Sequence, residues 1–350
     1  EIFSINYSTH KQLLKKKIPH QIAEKLLDLN DRKKIDDYAI NATINWYNQN
    51  SFQKYLVYDS INLGSLLEQE LFQYFVSIFY KAIIGKKIID TIKPEKVICY
   101  TEINDFIKQI CDSKNIDIIL KQKSISQALA FDKINIKYNL FKFPLSFKIS
   151  RKRFFSLKNI FEGFIFFIFN LNSKPSKEKS ILLTEFNPSQ YDLLINELSK
   201  LDKNIILLNQ RRSAIWNLES FKIIKNSKCK ILNLSSFEKK LSTIISSEVN
   251  NFSKNLKNLW KLQKDFEEFF LIDSISIWKS IENTFQDTCS QRFLESVKRI
   301  LLLNEFFKNY NIGVMLEWAE LGQEEKELIF VSKKFNIKSI MLQHALDTTY

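Results

Sequence analysis

From Lys179 onward, short apolar runs alternate with stretches of helical period, and this alternation limits the folds open to the chain. The runs are Ile181 to Thr184, Ile205 to Leu208, Cys229 to Leu232, Gly313 to Leu316 and Ser339 to Leu342. Between them the spacing predicts helices over Pro188 to Leu201, Ser236 to Leu271, Ile275 to Asn309 and Leu321 to Phe335. Strands joined through helices pair in parallel, because a crossover of that length returns the chain to the same end of the sheet. The expected class is therefore α/β: a parallel Rossmann-like sheet with flanking long helices, preceded by a helical α/β N-terminal region. The start of the first helix is well signalled, with Asn187 as cap, Pro188 at the first helical position and Gln190 in the capping-box place.

Upstream, Ile18 to Trp46 and Leu63 to Thr91 read as long amphipathic helices, the second stopped at Lys93-Pro94. Val97 to Tyr100, Asn104 to Lys114 and Ile116 to Leu120 then make a β-α-β unit. The expected organisation is an N-terminal region over residues 1–120, a basic Phe-rich connecting segment over 121–179 and a Rossmann-like domain over 180–350. The chain starts at Glu1 and stops soon after a motif discussed below, which reads as a piece of a longer protein.

Glycine is scarce. Gly64, Gly85, Gly163, Gly313 and Gly322 are the whole supply, and no two have the spacing of a P-loop or a GxGxxG turn, so ATPase and NAD-dehydrogenase chemistry is excluded. Three histidines (His10, His20, His344) and four cysteines (Cys99, Cys111, Cys229, Cys289) form no CxxC and no HExxH, and no metal site is expected. Few, irregularly placed cysteines favour a reducing compartment over a disulfide framework, and the Lys-rich start carries no signal peptide. The expected location is the cytoplasm, peripheral on the inner face of the cell membrane.

The net charge of +13 is unevenly placed: residues 121–180 hold thirteen Lys or Arg against Asp132, Glu162 and Glu178. Only seven of the 52 basic residues are Arg, the side chain that forks onto phosphates and base edges, so a nucleic-acid partner is not expected. In the same segment Arg151, Lys152 and Arg153 precede Phe154, Leu157, Phe161, Phe164, Ile168 and Leu171, one apolar stripe if helical. The unbroken run Gly163 to Phe169 is far short of the roughly 20 residues that span a bilayer. Residues 151–171 instead suit a helix lying on an anionic membrane surface, or a helix packed against a neighbouring layer.

In an open parallel sheet, ligands bind beyond the carboxyl ends of the strands. There the sequence places Glu185 after the first strand, Asn209, Gln210, Arg211 and Arg212 after the second, Glu317 and Glu320 after the fourth, and Gln343 and His344 after the fifth. Neighbouring strand ends lie about 5 Å apart, so Glu317 and His344 can share a cleft in which the carboxylate orients the imidazole as a general base. Arg211 and Arg212 are candidate anion holders, with Gln343, Glu185 and Glu320 beside them. Each of these polar residues also suits a chain that simply turns at the sheet edge.

The run NIGVMLEWAELGQEEKELIFVSKKFNIKSIMLQHA, Asn311 to Ala345, resembles the strand, helix, strand and LQHG signature of capsule and surface-polysaccharide glycosyltransferases of the two-Rossmann (GT-B) type. Related motifs occur in the glycerophosphotransferases of wall teichoic acid synthesis. INLGSLLEQELFQYF (Ile61 to Phe75) and KPEKVICY (Lys93 to Tyr100) are loosely similar to the N-terminal regions of such proteins. The resemblance implies transfer of a sugar or sugar-like group from a nucleotide-activated donor to a surface glycan or lipid-linked acceptor, with no further cofactor. In its terms Gln343 and His344 match the Q and H, His344 falls where some relatives place the base, and Ala345 replaces Gly. It also implies a second Rossmann domain holding the donor beyond Tyr350. Two alternatives stay open: a nucleotide-sugar epimerase or hydrolase on the same scaffold, and a non-catalytic scaffold of an envelope-polysaccharide assembly complex.

Overall fold

The computed structural model describes residues 1–99, 102–121, 129, 132–140, 143–169, 178–201, 203–211, 213–227 and 229–342. The chain divides into two compact units of mixed α/β content. One comprises Glu1–Leu56, Glu68–Ala130 and Asn255–Gln291, the other Val57–Leu67, Phe131–Lys254 and Arg292–Tyr350. Each unit thus gathers separate stretches of chain, where the sequence suggests consecutive blocks. Two of the boundaries fall inside the long helices Glu238–Leu259 and Trp278–Asn309.

In the first unit, helices Leu29–Asn45 and Glu68–Ile92 pack together, with Ala39 and Ala42 on the buried face of the former. The first is shorter than the expected Ile18 to Trp46 because Asp28 and Asp31 form a reciprocal capping box that fixes its start. Strands Lys96–Cys99 and Asp117–Leu120 pair in parallel around helix Asn104–Ser113, the β-α-β unit the sequence predicts. The core is aromatic. Phe266 stacks on Phe52 at 4.1 Å and on Trp278 at 4.3 Å between centroids, while Phe285 meets Trp46 edge-on at 5.0 Å. Of the two long helices expected over Ser236 to Leu271 and Ile275 to Asn309, the first is broken once and the second starts at Trp278, after the gap expected between them. The chain leaves the helical path between Leu259 and Gln263, then makes a tight hairpin at Asp273 and Ser274, both in the left-handed region. The break and the hairpin are what place Phe266 and Trp278 face to face.

In the second unit the sheet is entirely parallel. Its strands are β1 (Ser180–Thr184), β2 (Asn204–Leu208), β3 (Lys230–Ile231), β4 (Ile312–Glu317) and β5 (Lys338–Met341), in the spatial order β3-β2-β1-β4-β5. Both faces of the central strands are buried: Leu183 and Leu207 join a cluster with Ile195 and Ile224, and Leu182, Ile206 and Met315 are covered on the other side. That is why these strands read as continuous apolar runs and not as alternating ones. The helix expected from Pro188 begins only at Asp192, because Asn187 closes a turn instead, its side chain accepting from Ser189 N at 3.2 Å. Helix Leu218–Asn226, between β2 and β3, carries a second capping box at Asn217 and Ser220 that the sequence reading passes over.

The expected connecting segment contains regular structure: an antiparallel hairpin of Lys133–Leu140 with Phe143–Ser150, then helix Arg151–Phe169. This helix is turned opposite to the usual amphipathic sense. Arg151, Lys158 and Glu162 are buried, whereas Leu157, Phe161 and Phe164 of its apolar stripe, with Ile160 beside them, are 48–68% exposed. Among the described residues no helix is long and apolar enough to cross a membrane.

Phe266 touches stacked rings on both faces, so Phe266→Ala opens a cavity that rigid rings cannot fill. The expected loss is about 3–5 kcal/mol, with a smaller loss for Phe266→Leu. Urea unfolding of the full chain followed by tryptophan fluorescence checks this; equal stability of the alanine variant and the wild type would refute the stacked core.

Candidate functional site at the carboxyl ends of the parallel strands

The register of the sheet puts Thr184 level with Leu208 and Glu317, and Glu317 level with Met341. Glu185, Asn209, Trp318 and Leu342 are therefore the first residues beyond the sheet on four adjacent strands. The order of strands reverses direction between β1 and β4, where Glu185 and Glu317 emerge.

Glu185, just after β1, lies in the left-handed region at φ 60°, a conformation costly for a residue with a side chain. Several bonds hold it there. Its own N–H donates to Leu208 O at 3.2 Å, and its Oε1 accepts from the backbone N–H of Gln210 and of Arg211, the latter at 3.0 Å. Asn209 Nδ2 donates in return to Phe186 O at 2.8 Å. The carboxylate of one strand end thus organises the turn after its neighbour. Arg211 in turn reaches helix Gln323–Lys334, its Nη1 3.0 Å from Glu325 Oε1. Gly322 caps that helix, and a Cβ there would clash with Glu325 Oε2, so glycine is what lets the carboxylate fold over the helix start.

Five buried oxygens in this region have no hydrogen-bond partner among the described residues: Glu185 Oε2, Asn209 Oδ1, Gln210 Oε1, Glu317 Oε1 and Glu325 Oε2. All are acceptors, and leaving buried acceptors unsatisfied costs free energy, so the arrangement suits a ligand rich in donors. Burial pushes the Glu185 carboxyl up to about 7, the nearby Glu325 charge pushing the same way and the Arg211 and Gln210 N–H groups pulling back. Burial likewise raises Glu317 to about 7; a hydrogen bond from Ser339 opposes this, and Glu320 and Glu325 add to it. Each carboxyl can therefore take up or release a proton near neutral pH.

Of the residues singled out from sequence, Glu185, Glu317 and Arg211 are brought to this edge, while Glu320 is exposed and acts on Glu317 only through its charge. The surface-loop alternative for Glu317 does not hold, since it is 3% exposed. Arg211 is an ion-pair partner of Glu325. Arg212, Gln343 and His344 lie outside the described residues. Sequence reasoning missed Glu325 and Gly322; the available signal was a rare glycine followed by two acids at a helix start. Among the described residues no three His, Cys, Asp or Glu side chains are grouped so as to hold a metal ion. A cavity of about 430 Å³ lies elsewhere, in the first unit, beside His10 and His20.

Compared with known proteins, the chain matches no family model, no curated protein and no solved structure.

A carboxyl whose value is raised by folding holds its proton longer in the folded state than in the unfolded chain. Below the ordinary value of about 4.5 both states are protonated and nothing is lost. As pH climbs to about 7 the folded state carries a growing disadvantage, which then levels off. For Glu185 this amounts to about 3 kcal/mol at about 1.4 kcal/mol per pH unit. Glu185→Gln keeps an acceptor for the two N–H groups and stays neutral. Its stability relative to wild type should therefore rise by about that amount between pH 4.5 and 7.5. Parallel denaturation profiles across that range would remove the buried ionisation.

Proposed function

We propose that this chain belongs to an enzyme that transfers a sugar or sugar-like group from a nucleotide-activated donor to a hydroxyl acceptor. The observation that carries the proposal is the group of buried acceptor oxygens at the carboxyl ends of β1, β2 and β4 that have no partner among the described residues. A polyhydroxylated ligand supplies the donors that such a group lacks. The strand order supports the same conclusion: β3-β2-β1-β4-β5 is the order of a doubly wound, Rossmann-like sheet, and ligands of that architecture sit where the order reverses. The likeness of Asn311 to Ala345 to the polysaccharide glycosyltransferases adds the reaction class.

In the proposed step an acceptor O–H donates to Glu317 Oε1. The carboxylate takes the proton as the acceptor oxygen bonds to the anomeric carbon, while the bond from that carbon to the donor phosphate breaks and the phosphate leaves with the electron pair. A base with a value near 7 is matched to this work at neutral pH. Glu185 sets the turn that carries Arg211, and Arg211 and Glu325 fix charge at the rim. His344, two residues beyond Leu342, whose N–H donates to Glu317 O at 3.0 Å, is proposed as an alternative proton acceptor in the same step.

Glu317→Gln in the full-length protein is expected to lower kcat about 100-fold or more with KM changed far less, measured as release of nucleotide from a panel of nucleoside-diphosphate sugars. Undiminished turnover in Glu317→Gln together with loss in His344→Ala would move the base to the histidine. Retention in both variants would sink the mechanism.

The outward apolar stripe of helix Arg151–Phe169 supports a peripheral seat on an anionic bilayer. Leu157, Ile160, Phe161 and Phe164 face solvent, and Lys152, Arg153, Lys148 and Lys133 are exposed on the same helix and the hairpin before it. Apolar side chains enter the interface while each nearby cation adds about 1 kcal/mol of attraction to acidic headgroups. Co-sedimentation with phosphatidylglycerol vesicles should be salt-sensitive and abolished by the double change Phe161→Ser and Phe164→Ser. Self-association through this stripe without vesicle binding would overturn the membrane assignment.

A further inference from the structure

Two of the three histidines in the chain meet in the first unit, far in sequence from the carboxylates described above. His10 Nδ1 lies 2.8 Å from His20 Nε2, and His20 Nδ1 lies 2.8 Å from Ile18 O. A carbonyl only accepts, so His20 carries its proton on Nδ1 and presents the Nε2 lone pair to His10. When both rings are neutral, His10 must then hold its proton on Nδ1. The pair is therefore two imidazole nitrogens facing one another across a single proton. They stand beside a cavity of about 430 Å³ whose wall includes Leu14, Pro19 and Lys25.

We infer that this pair is a two-histidine site for a divalent transition-metal ion, in which the metal takes the position of the bridging proton. Three features support it. Neutral imidazole is the commonest nitrogen ligand for zinc and its neighbours in the first transition row. An outer N–H fixed on a backbone carbonyl, as in His20, is the usual way a ligating imidazole is oriented. The distances also fit: tetrahedral zinc bonds of about 2.0–2.1 Å need the two nitrogens about 3.4 Å apart, an opening of roughly half an ångström. Helix Tyr7–Lys15, which carries His10, buries none of its side chains and is not held by a core against so small a shift. The balance is simple. The proton leaves His10 Nδ1 and is taken up at His10 Nε2, so neutral rings release no net proton, and two metal–nitrogen bonds replace one hydrogen bond. Water or a small donor entering from the cavity completes the coordination.

The test is a zinc titration of the tag-free full chain, labelled with nitrogen-15 at histidine. The expected result is joint, saturable movement of the His10 Nδ1 and His20 Nε2 resonances at one equivalent, with magnesium inert. His10→Gln retains a donor for His20 and tests ligation separately from folding. It should weaken zinc binding at least about tenfold while leaving the circular dichroism spectrum unchanged, and His20→Ala should do the same to binding. His344→Ala should not alter it. Absence of saturable binding, or binding indifferent to both His10→Gln and His20→Ala, overturns the inference.

Discussion

The second unit depends on an unusual density of charge taken out of water at the start of helix Gln323–Lys334. Gln323, Glu324, Glu325 and Glu327 are all buried there, on a helix whose first turn would normally face solvent. Each acid meets an arginine from a different segment: Glu324 pairs with Arg151, Glu325 with Arg211 at 3.0 Å, and Glu327 with Arg299, whose Nη2 lies 2.7 Å away. Arg292, fully buried, completes the set through Gln323 at 2.9 Å and Asp132 at 3.0 Å. A buried carboxylate is tolerated only when it is paired and hydrogen-bonded, so these contacts are conditions of folding and not additions to it. The positive end of the helix dipole adds to the same stabilisation.

This constraint explains the inverted helix Arg151–Phe169. Arg151 must reach Glu324, and Lys158 must reach both Glu162 at 3.0 Å and Asn209 O at 2.8 Å. Those demands rotate the polar side inward, and at 3.6 residues per turn the stripe through Leu157, Phe161 and Phe164 is carried outward. One set of ion pairs therefore fixes two features usually explained separately, the supported edge of the sheet and the exposed apolar surface.

How much of this the sequence revealed depends on the kind of signal. The parallel sheet was legible because strands buried on both faces are written as unbroken apolar runs, and Leu182, Leu183, Ile206 and Leu207 are such positions. Glu185, Arg211 and Glu317 were legible as candidates because strand ends can be located from those runs. Glu325 was not, since an acid in a first helical turn reads as ordinary dipole complementation, and only the partner Arg211, distant in sequence, makes it part of the edge. The orientation of helix Arg151–Phe169 was equally hidden. Periodicity reports that a stripe exists, and the side it faces was decided by Glu324, more than a hundred residues away.

The strained backbone at Glu185 links these levels. A residue with a side chain stays in the left-handed region when the contacts it makes outweigh the cost, and glycine would remove that cost. Glycine would also remove the oxygen that accepts from Gln210 N and Arg211 N, and with it the order of the turn that delivers Arg211 to Glu325. The carboxyl thus meets two opposed demands. Its Oε1 is committed to the neighbouring turn, while its Oε2 lies buried without a partner among the described residues, in surroundings that hold the group near the boundary between charged and neutral. A side chain with only a scaffolding role would gain from satisfying both oxygens. Under the proposed function, the oxygen left unpaired among the described residues is where a donor-bearing ligand would bring the strained strand end to full hydrogen bonding.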